Sequence, residues 1–371
     1  MLSTFPPTRC GIASFSGALA DAIVSTGTAI DVVRCGVPSR LADPSPVGES
    51  SDAARSGPDD VVDILNGTDV VIAQHEYGLY AGADGRDLID IVNRLVVPTI
   101  VVAHTVPGDP TMGQRSVLER VCDAVDAVVV MTKTAYLRLM AGFDIDASKI
   151  EIIPHGAVAE TAGQHDGESA WQRPPRLLTW GLLGPGKGIE WAIDAVAELA
   201  HLNVCSRYLI SGATHPKVLA QSGEAYRQML VRRAASSSAK PWVDFDNRYR
   251  DIASLLQLIR SADLVVLPYD STDQVTSGVL VDAIAAGRPV VATAFPHAVE
   301  LLGSGAGIVV PQRDPSALAR AIRTVLTDKD LAIAMAAEAC RLAPELSWTS
   351  VAAQYCSLAA QLVANRQSVS S

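Results

Sequence analysis

The sequence predicts an α/β protein of two domains, each a parallel β-sheet flanked by helices. Its 371 residues exceed one ordinary hydrophobic core and suit two domains of common size. Short apolar runs alternate with segments of helical periodicity, as in sheets whose parallel strands are joined by crossover helices. Hydrophobic residues make up 49% of the chain and aromatic residues only 5%, a balance that suits buried parallel strands.

The predicted strands fall into two sets along the chain. The first set is Asp69–Ala73, Thr99–Ala103, Ala127–Met131 and Ile150–Ile153. The second set is Arg176–Trp180, Arg207–Ser211, Trp242–Phe245, Ala262–Leu267, Pro289–Ala292 and Gly307–Val310. Little sequence precedes the Pro6-Pro7 step, so a strand there is short, or the given sequence begins within it.

The segment from Gly156 to Pro175 separates the two sets. It is polar, contains Gly, His and Gln with a Pro-Pro step, and is typical of an interdomain linker. We therefore predict a first domain at residues 1–160 and a second at residues 174–346. Helical spacing returns at Pro315–Leu326 and, after a polar break, at Trp348–Leu362. Residues 347–365 are predicted to pack back on the first domain.

Charge and cysteine content argue against several functions. Thirty Lys and Arg against forty Asp and Glu give a formal charge of -10, and no dense basic run is present, which argues against nucleic-acid binding. The six cysteines stand singly without a CxxC pair, which favours reduced thiols over disulfides or a zinc site. Neither a spanning apolar stretch nor a secretion signal is recognised, so we expect a cytoplasmic protein.

The most informative segment runs from Leu267 to Thr293. A predicted strand leads into a loop, and a helix then begins near Ser277-Gly278 and ends at Gly287. Backbone N–H groups at such a helix start, here those of Ser277, Gly278 and Val279, can bind a diphosphate without a metal, helped by the positive end of the helix dipole.

A second glycine-rich turn, Trp180–Gly188, also joins a predicted strand to a helix. It contains Lys187 between two glycines. It is not a P-loop, because no Gly-Lys-Ser/Thr ending exists, and it lacks the GxGxxG spacing of dinucleotide sites. Neither of those two nucleotide-binding motifs therefore accounts for this turn.

These two segments resemble the diagnostic stretches of retaining glycosyltransferase family 4. In that family two glutamates eight positions apart flank the helix start, and a Gly-x-Pro-Val-Val step follows; here Gln274 and Asp282 occupy the acidic positions. The resemblance implies the GT-B fold, in which two Rossmann-like domains face each other across a cleft and the C-terminal helix crosses back to the first domain. It further implies that Gln274 contacts donor sugar hydroxyls and that Asp282 holds the ribose.

The resemblance spans Pro6 to about Leu362 and assigns further donor contacts. Lys187 matches the lysine that faces the diphosphate, but Leu182 stands where an arginine is usual. Arg9 of the first domain is our substitute for that second cation. Asn247 and Arg248 lie where the family holds the nucleotide base.

In the first domain, the loop before the first helix resembles the family's glycine-containing loop, with Gly11 letting the backbone approach the donor. His104 matches the family's active-site histidine, and we assign it to the donor sugar and to orienting the acceptor. His75 and Glu76 follow a neighbouring strand, where open α/β sheets place ligands, and are assigned to the acceptor side. His155 either lines the cleft or is a turn residue.

No metal or other cofactor is expected. Two Asp-x-Asp spacings invite comparison with a metal site, but Asp144/Asp146 fall in a helix-to-strand turn and Asp244/Asp246 alternate along a strand. No His/Cys cluster suggests zinc.

We therefore predict a metal-independent, retaining transferase that moves a sugar from a GDP- or UDP-linked donor to a hydroxyl of a small molecule, glycan or lipid-linked acceptor. Front-face attack, in which the leaving diphosphate takes the acceptor proton, is the favoured mechanism. Two alternatives stay open: a degenerate protein that binds a nucleotide sugar without turning it over, motivated by Gln274 and Leu182, and a nucleotide-sugar epimerase of the same shape. Homo-oligomerisation is also open.

Overall fold

The computed structural model describes residues 1–35, 58–158, 173–202, 204 and 206–369. The chain divides into two compact units. The first unit comprises Met1–Gly156 together with Trp348–Ser371, and the second comprises Ala157–Ser347. Most of the predicted linker, from residue 159 to residue 172, lies outside the described residues.

The first unit is built on a six-stranded sheet. Its strands are β1 Leu2–Ser3, β2 Val33–Arg34, β3 Val71–His75, β4 Thr99–Ala103, β5 Ala127–Val130 and β6 Ile150–Ile152. Its helices are α1 Gly11–Ser25, α2 Pro58–Asn66, α3 Asp87–Val92, α4 Met112–Ala124, α5 Lys133–Gly142, the short 3-10 turns Ala83–Gly85 and Ala147–Lys149, and the C-terminal helix Trp348–Val369. All strand pairs are parallel, in the order β2-β1-β3-β4-β5-β6.

Burial explains why these segments form a sheet. Every residue of β3, β4 and β5 is buried, so both faces of the sheet are covered, as the continuous apolar runs predict. On one face, α1 packs with the C-terminal helix, whose Val351, Ala352 and Tyr355 join the core of this unit. The C-terminal helix therefore crosses back to the first unit.

The second unit contains another six-stranded sheet. Its strands are β7 Arg176–Trp180, β8 Arg207–Ser211, β9 Val243–Asp246, β10 Leu264–Leu267, β11 Val290–Thr293 and β12 Gly307–Val310. Its helices are α6 Ile189–His201, α7 Pro216–Ser222, α8 Ala225–Ala235, α9 Ile252–Ser261, α10 Gly278–Ala285, α11 Pro296–Leu302, α12 Pro315–Thr327 and α13 Lys329–Leu342. The strands are again all parallel, in the order β12-β11-β10-β7-β8-β9.

Helices cover both faces of the second sheet. Successive residues of one strand belong to different cores: Leu177 packs with Ile193 and Leu318 in one cluster, while Leu178 packs with Ile284 in the other. This alternation is the pattern expected for side chains that point to opposite faces of a strand. The α/β prediction is confirmed, and the two sheets with flanking helices have the Rossmann-like form that was predicted.

Strand positions agree closely with the sequence predictions. Four strands, β4, β7, β8 and β12, have the predicted bounds, and the other predicted strands differ by one or two residues at an end. The two-residue strand β2 was not predicted, and the helix α13 fills the stretch described as a polar break. In the described part of the chain, no helix is long and apolar enough to cross a membrane.

Candidate functional site

The predicted site residues lie beyond the carboxyl ends of strands in both units. In the first unit, His75 ends β3 and His104 follows β4, the neighbouring strand; the His104 N–H donates to the His75 carbonyl at 3.1 Å. In the second unit, the turn containing Lys187 follows β7, and Gln274 lies in the loop after β10, which pairs with β7. Parallel sheets bring such loops to one edge, so the topology gathers these residues within each unit.

His104 is fixed by two contacts inside the first unit. Its Nε2 lies 2.7 Å from Oε1 of Gln74, and Phe15 of α1 packs edge-on against the ring, with centroids 4.9 Å apart. Burial lowers the pKa of His104 to about 3, with the neighbouring His155 and His75 adding to the effect. The imidazole is therefore neutral at physiological pH, and Nε2–H donates to the amide oxygen.

His75 and His155 occupy different surroundings. His75 is 1% exposed, neither ring nitrogen has a hydrogen-bond partner in the described residues, and its ring packs edge-on against Tyr77 at 5.0 Å. The buried ring of His75 therefore offers no exposed atom that could contact an acceptor, as its assignment to the acceptor side requires. His155 donates from Nδ1 to the Gly156 carbonyl at 2.7 Å and lies 5.1 Å from Phe15, centroid to centroid. Burial lowers the pKa of both histidines to about 4.

Glu76, the other residue assigned to the acceptor side, is held by its own loop. One carboxylate oxygen accepts from the Thr105 hydroxyl at 2.5 Å, and the other accepts from the Tyr77 N–H at 3.0 Å. The first bond ties the loop after β3 to the loop after β4. Glu76 therefore orders this edge of the sheet.

Gly11 and Arg9 lie at the end of the loop that leads into α1. Gly11 is the first helical residue, after Cys10, whose Sγ accepts from the Ala13 N–H at 3.3 Å. A Cβ added at Gly11 would meet no protein atom within 4 Å, so no packing in the described chain requires glycine there. Arg9 is exposed in the preceding turn.

Lys187 stands on an aromatic face in the second unit. Its Nζ lies 4.2 Å from the ring centroid of Tyr269, and in the described residues no carboxylate lies within ion-pair distance of it. Burial lowers the pKa of Lys187 to about 8, so the ammonium form still prevails at pH 7. The lysine thus presents a cation without a protein counter-ion.

The start of α10 presents unpaired donors. Ser277 caps the helix: its N–H donates to Nδ1 of His297 at 2.8 Å, and its Oγ accepts from the Leu280 N–H at 3.3 Å. For the N–H groups of Gly278 and Val279, the structure shows no acceptor among the residues it describes. Two donors and the positive end of the helix dipole therefore remain for an anion.

Gln274 and Asp282 differ in what the protein does with their polar atoms. The Gln274 side-chain NH₂ group donates to the Thr276 carbonyl, and the Gln274 backbone carbonyl accepts from the His297 N–H at 3.3 Å. The carboxylate of Asp282, half-buried on α10, has no hydrogen-bond or ion-pair partner in the described part of the chain. Burial raises the pKa of Asp282 to about 7.

Asn247 and Arg248 lie beyond the end of β9 and are already engaged. Asn247 Oδ1 accepts from Nη1 of the buried Arg227 at 2.6 Å, and Arg227 also donates to the Gly212 carbonyl. Arg248 is exposed and pairs with Asp246 at 2.9 Å. Both side chains therefore already have partners within the second unit.

The two Asp-x-Asp spacings lie where the sequence placed them. Asp146 caps the 3-10 turn before β6, and its Oδ1 accepts from the Ser148 N–H at 2.9 Å. Asp244 and Asp246 belong to β9 and pair with different arginines, Arg207 and Arg250. Over the ranges that the structure describes, no group of three His, Cys, Asp or Glu residues is placed to hold a metal ion.

Several residues that contact the predicted site residues were not predicted from the sequence. Gln74, Phe15, Tyr269, His297 and Arg227 each contact a predicted site residue or its loop. Gln74 and Tyr269 lie within or beside the sequence motifs that predicted the site. Their position at the end of a strand, as a polar and an aromatic residue, could have identified them from the sequence. Nothing in the local sequence of His297 or Arg227 indicates their long-range partners.

Comparison with known proteins identifies chains that are similar in sequence. Residues 174–328 match the family model described as Glycosyl transferases group 1. A D-inositol 3-phosphate glycosyltransferase of Corynebacterium glutamicum is 27% identical over 291 residues, covering 72% of this chain and 68% of that protein. The matched D-inositol 3-phosphate glycosyltransferases are covered over 57% to 68% of their length, so the chain spans about two thirds of these relatives or less.

Solved structures share the fold over most of the chain. Sucrose-phosphate synthase from Thermosynechococcus elongatus has a TM-score of 0.77 and 18% identity, covering 98% of both chains. Anabaena HepE in complex with UDP has a TM-score of 0.66 and 18% identity, covering 82% of both chains. At these identities the likeness shows the fold alone. Residues 174–328 of the second unit thus match the group 1 glycosyltransferases, and the chain has the GT-B fold.

Proposed function

We propose that this protein transfers a sugar from a nucleoside-diphosphate sugar to a hydroxyl acceptor, with retention of configuration and without a metal ion. One observation carries the proposal. At one edge of the second sheet lie the Lys187 ammonium and the N–H groups of Gly278 and Val279, and none of these donors has an anionic partner among the described residues. A diphosphate supplies the missing acceptors.

The chemistry assigned to these donors follows from charge. In sugar transfer, negative charge builds on the leaving diphosphate as the glycosidic bond breaks. Preorganised cations and backbone dipoles directed at developing charge are among the largest contributions to catalysis. Lys187 supplies a full positive charge and the first turn of α10 supplies a partial one. This is why we assign charge neutralisation to protein groups.

Gln274 and Asp282 are assigned to hydroxyl groups of the donor. Asp282 has two carboxylate oxygens without protein donors, which suits the two hydroxyls of a ribose. The Gln274 side chain uses its amide group on Thr276, which leaves its carbonyl oxygen as the acceptor for a sugar hydroxyl. Asn247 and Arg248 remain our proposal for the base-binding loop.

The first unit is assigned to the sugar and the acceptor. We infer from the family resemblance that His104 contacts the donor sugar, with Gly11 and Arg9 near the donor and Glu76 ordering the acceptor side. His104 is neutral, so it acts as a hydrogen-bonding group and not as a cation. Front-face attack, in which the diphosphate takes the acceptor proton, requires no acidic or basic side chain of perturbed pKa in this unit.

The acceptor class is proposed from the relatives. Those matched over the largest share of this chain are named for transfer to D-inositol 3-phosphate, a phosphorylated polyol. We propose a hydroxylated small molecule as the acceptor class, with D-inositol 3-phosphate as the first compound to test. Glycan or lipid-linked hydroxyls are the next acceptors to examine.

A thermal-shift screen of UDP, GDP and their sugars, with and without EDTA, tests the donor site and the absence of a metal. A ligand at about 100 times its dissociation constant adds about 2.7 kcal/mol of stability. We expect one nucleoside diphosphate to raise Tm, and we expect the shift and the sugar turnover to survive EDTA. Loss of both on chelation, with recovery on adding manganese, would show that a metal and not Lys187 neutralises the diphosphate.

Substitutions at Gln274 test the assignment of the donor sugar. Gln274→Ala should lower kcat by about 5- to 150-fold, the loss of one hydrogen bond that tightens in the transition state. Gln274→Glu should also lose activity, because a carboxylate would face the Thr276 carbonyl oxygen that the amide now contacts.

Asp282→Ala is the comparison for these variants. Since a ribose contact forms before the reaction as well as during it, Asp282→Ala should raise the donor Kd more than it lowers kcat. Steady-state kinetics and donor titrations of the three variants separate the two effects. A fully active Gln274→Ala would mean that the donor sugar lies elsewhere.

A further inference from the structure

The three residues after β10, Pro268, Tyr269 and Asp270, form a platform under the turn that carries Lys187. A Cβ added at Gly188, whose φ is +59°, would clash with the Pro268 carbonyl oxygen. The Asp270 N–H donates to the Gly186 carbonyl at 3.1 Å. Both glycines beside the lysine are therefore held against this platform.

Tyr269 is the aromatic part of the platform. Its ring is 1% exposed and packs against Phe295, with centroids 4.9 Å apart. Its backbone carbonyl accepts from the Thr293 hydroxyl and from Gln312 Nε2 at 3.3 Å. These contacts fix the Tyr269 ring independently of Lys187, whose Nζ lies 4.2 Å from the ring centroid.

The carboxylate nearest to the turn is occupied by another cation. Asp270 lies beside the turn: its Oδ1 would be 3.8 Å from a Cβ added at Gly186. Its Oδ2, however, forms an ion pair with Nε of Arg313 at 3.4 Å. The remaining titratable group that faces Lys187 in the described chain is His215 at the start of α7, whose own pKa is lowered by burial and by nearby lysines. Among the residues that the structure describes, no carboxylate forms an ion pair with Lys187.

We propose that Tyr269 is a positioning residue that holds the Lys187 ammonium on its ring face and keeps it charged without a carboxylate partner. The inference rests on the proposed function, because its purpose is to leave the charge available to a diphosphate. A paired carboxylate would have to be displaced when the diphosphate binds. An aromatic face attracts a cation through its quadrupole and cancels none of its charge.

The pH dependence of binding distinguishes this role from ordinary packing. Burial lowers the pKa of Lys187 to about 8, and the ring opposes that effect because it favours the charged form. Removing the ring while keeping the burial should therefore lower the pKa of Lys187 further, by about one unit. Diphosphate binding that needs the ammonium form will then weaken at a lower pH than in the wild type.

The experiment titrates UDP and GDP into the full-length protein by calorimetry between pH 7 and pH 9.5. The variants are Tyr269→Leu, which removes the ring, and Tyr269→Phe, which keeps it. Tyr355→Leu, a tyrosine of the first unit that is also 1% exposed and whose hydroxyl has no described partner, is the matched control for lost packing. A thermal melt of each variant reports folding.

We expect Tyr269→Leu to bind about twofold more weakly than wild type at pH 7 and about tenfold more weakly at pH 9, with the binding midpoint about one pH unit lower. Tyr269→Phe and Tyr355→Leu should keep the wild-type midpoint. A Tyr269→Leu profile that superimposes on wild type would overturn the role of Tyr269, and so would the same midpoint shift in Tyr355→Leu. Absence of binding by the wild type itself would instead refute the proposed donor site.

Discussion

Lys187→Ala is expected to weaken UDP or GDP binding by about 10- to 150-fold at pH 7. The estimate corresponds to one hydrogen bond to a charged group, about 1.5 to 3 kcal/mol. The effect should be large because Lys187 has no other ionic partner in the described chain, so its charge serves the ligand alone. Turnover should fall as well, since the diphosphate carries more charge as it leaves than when it is bound.

Lys240→Ala, at an exposed lysine of the same unit, is the control for a general loss of positive charge. Calorimetric titration at two salt concentrations measures both variants. A local charge contact survives added salt better than long-range attraction does. Wild-type affinity and turnover in Lys187→Ala would show that Lys187 is a surface lysine with no part in donor binding.

His104→Ala is expected to lower kcat by about 100-fold while changing the donor Kd by about threefold or less. Misplacing a reacting group by one ångström lowers the rate by about 100-fold. Binding of the donor in the ground state depends mainly on the diphosphate and the base. Because the pKa of His104 is about 3, the defect should have the same size from pH 6 to pH 9. A defect that changed across this range would require a charged imidazole.

His201→Ala is the control for His104, since His201 is exposed at the end of α6 and takes no part in the proposed site. Rapid-mixing kinetics with the donor identified by the thermal-shift screen give kcat and Kd separately. Equal loss of affinity and rate would place His104 in donor binding. Full activity would return it to a structural role beside Gln74 and Phe15.

The fold was predictable because buried parallel strands leave a continuous apolar record. Thr99–Ala103, in which every residue is buried, was located to the residue for that reason. Val33–Arg34 left too short a record to recognise. Lys329–Leu342 was missed because its charged and alanine-rich sequence buries only Met335, Ala336 and Ala339, a stripe too narrow to stand out.

Only the site residues that lie at strand ends or in glycine-rich turns could be predicted from the sequence. Lys187 and Gln274 follow strands that pair in one sheet, so the topological rule brings their loops together. The contacts that decide their chemistry are side-chain contacts between distant segments. That Gln74 would bond His104, or that Tyr269 would face Lys187, depends on packing that no local pattern records.

The fate of the donor shows whether the protein transfers a sugar. The purified protein is incubated with the UDP- or GDP-linked sugar that binds, together with hydroxyl acceptors, and the products are identified by mass spectrometry and NMR. Retaining sugar transfer should give a new glycoside with the anomeric configuration of the donor. The nucleoside diphosphate should be released in equal amount. An epimerised donor, or a donor that is bound and recovered unchanged with every acceptor, would contradict sugar transfer.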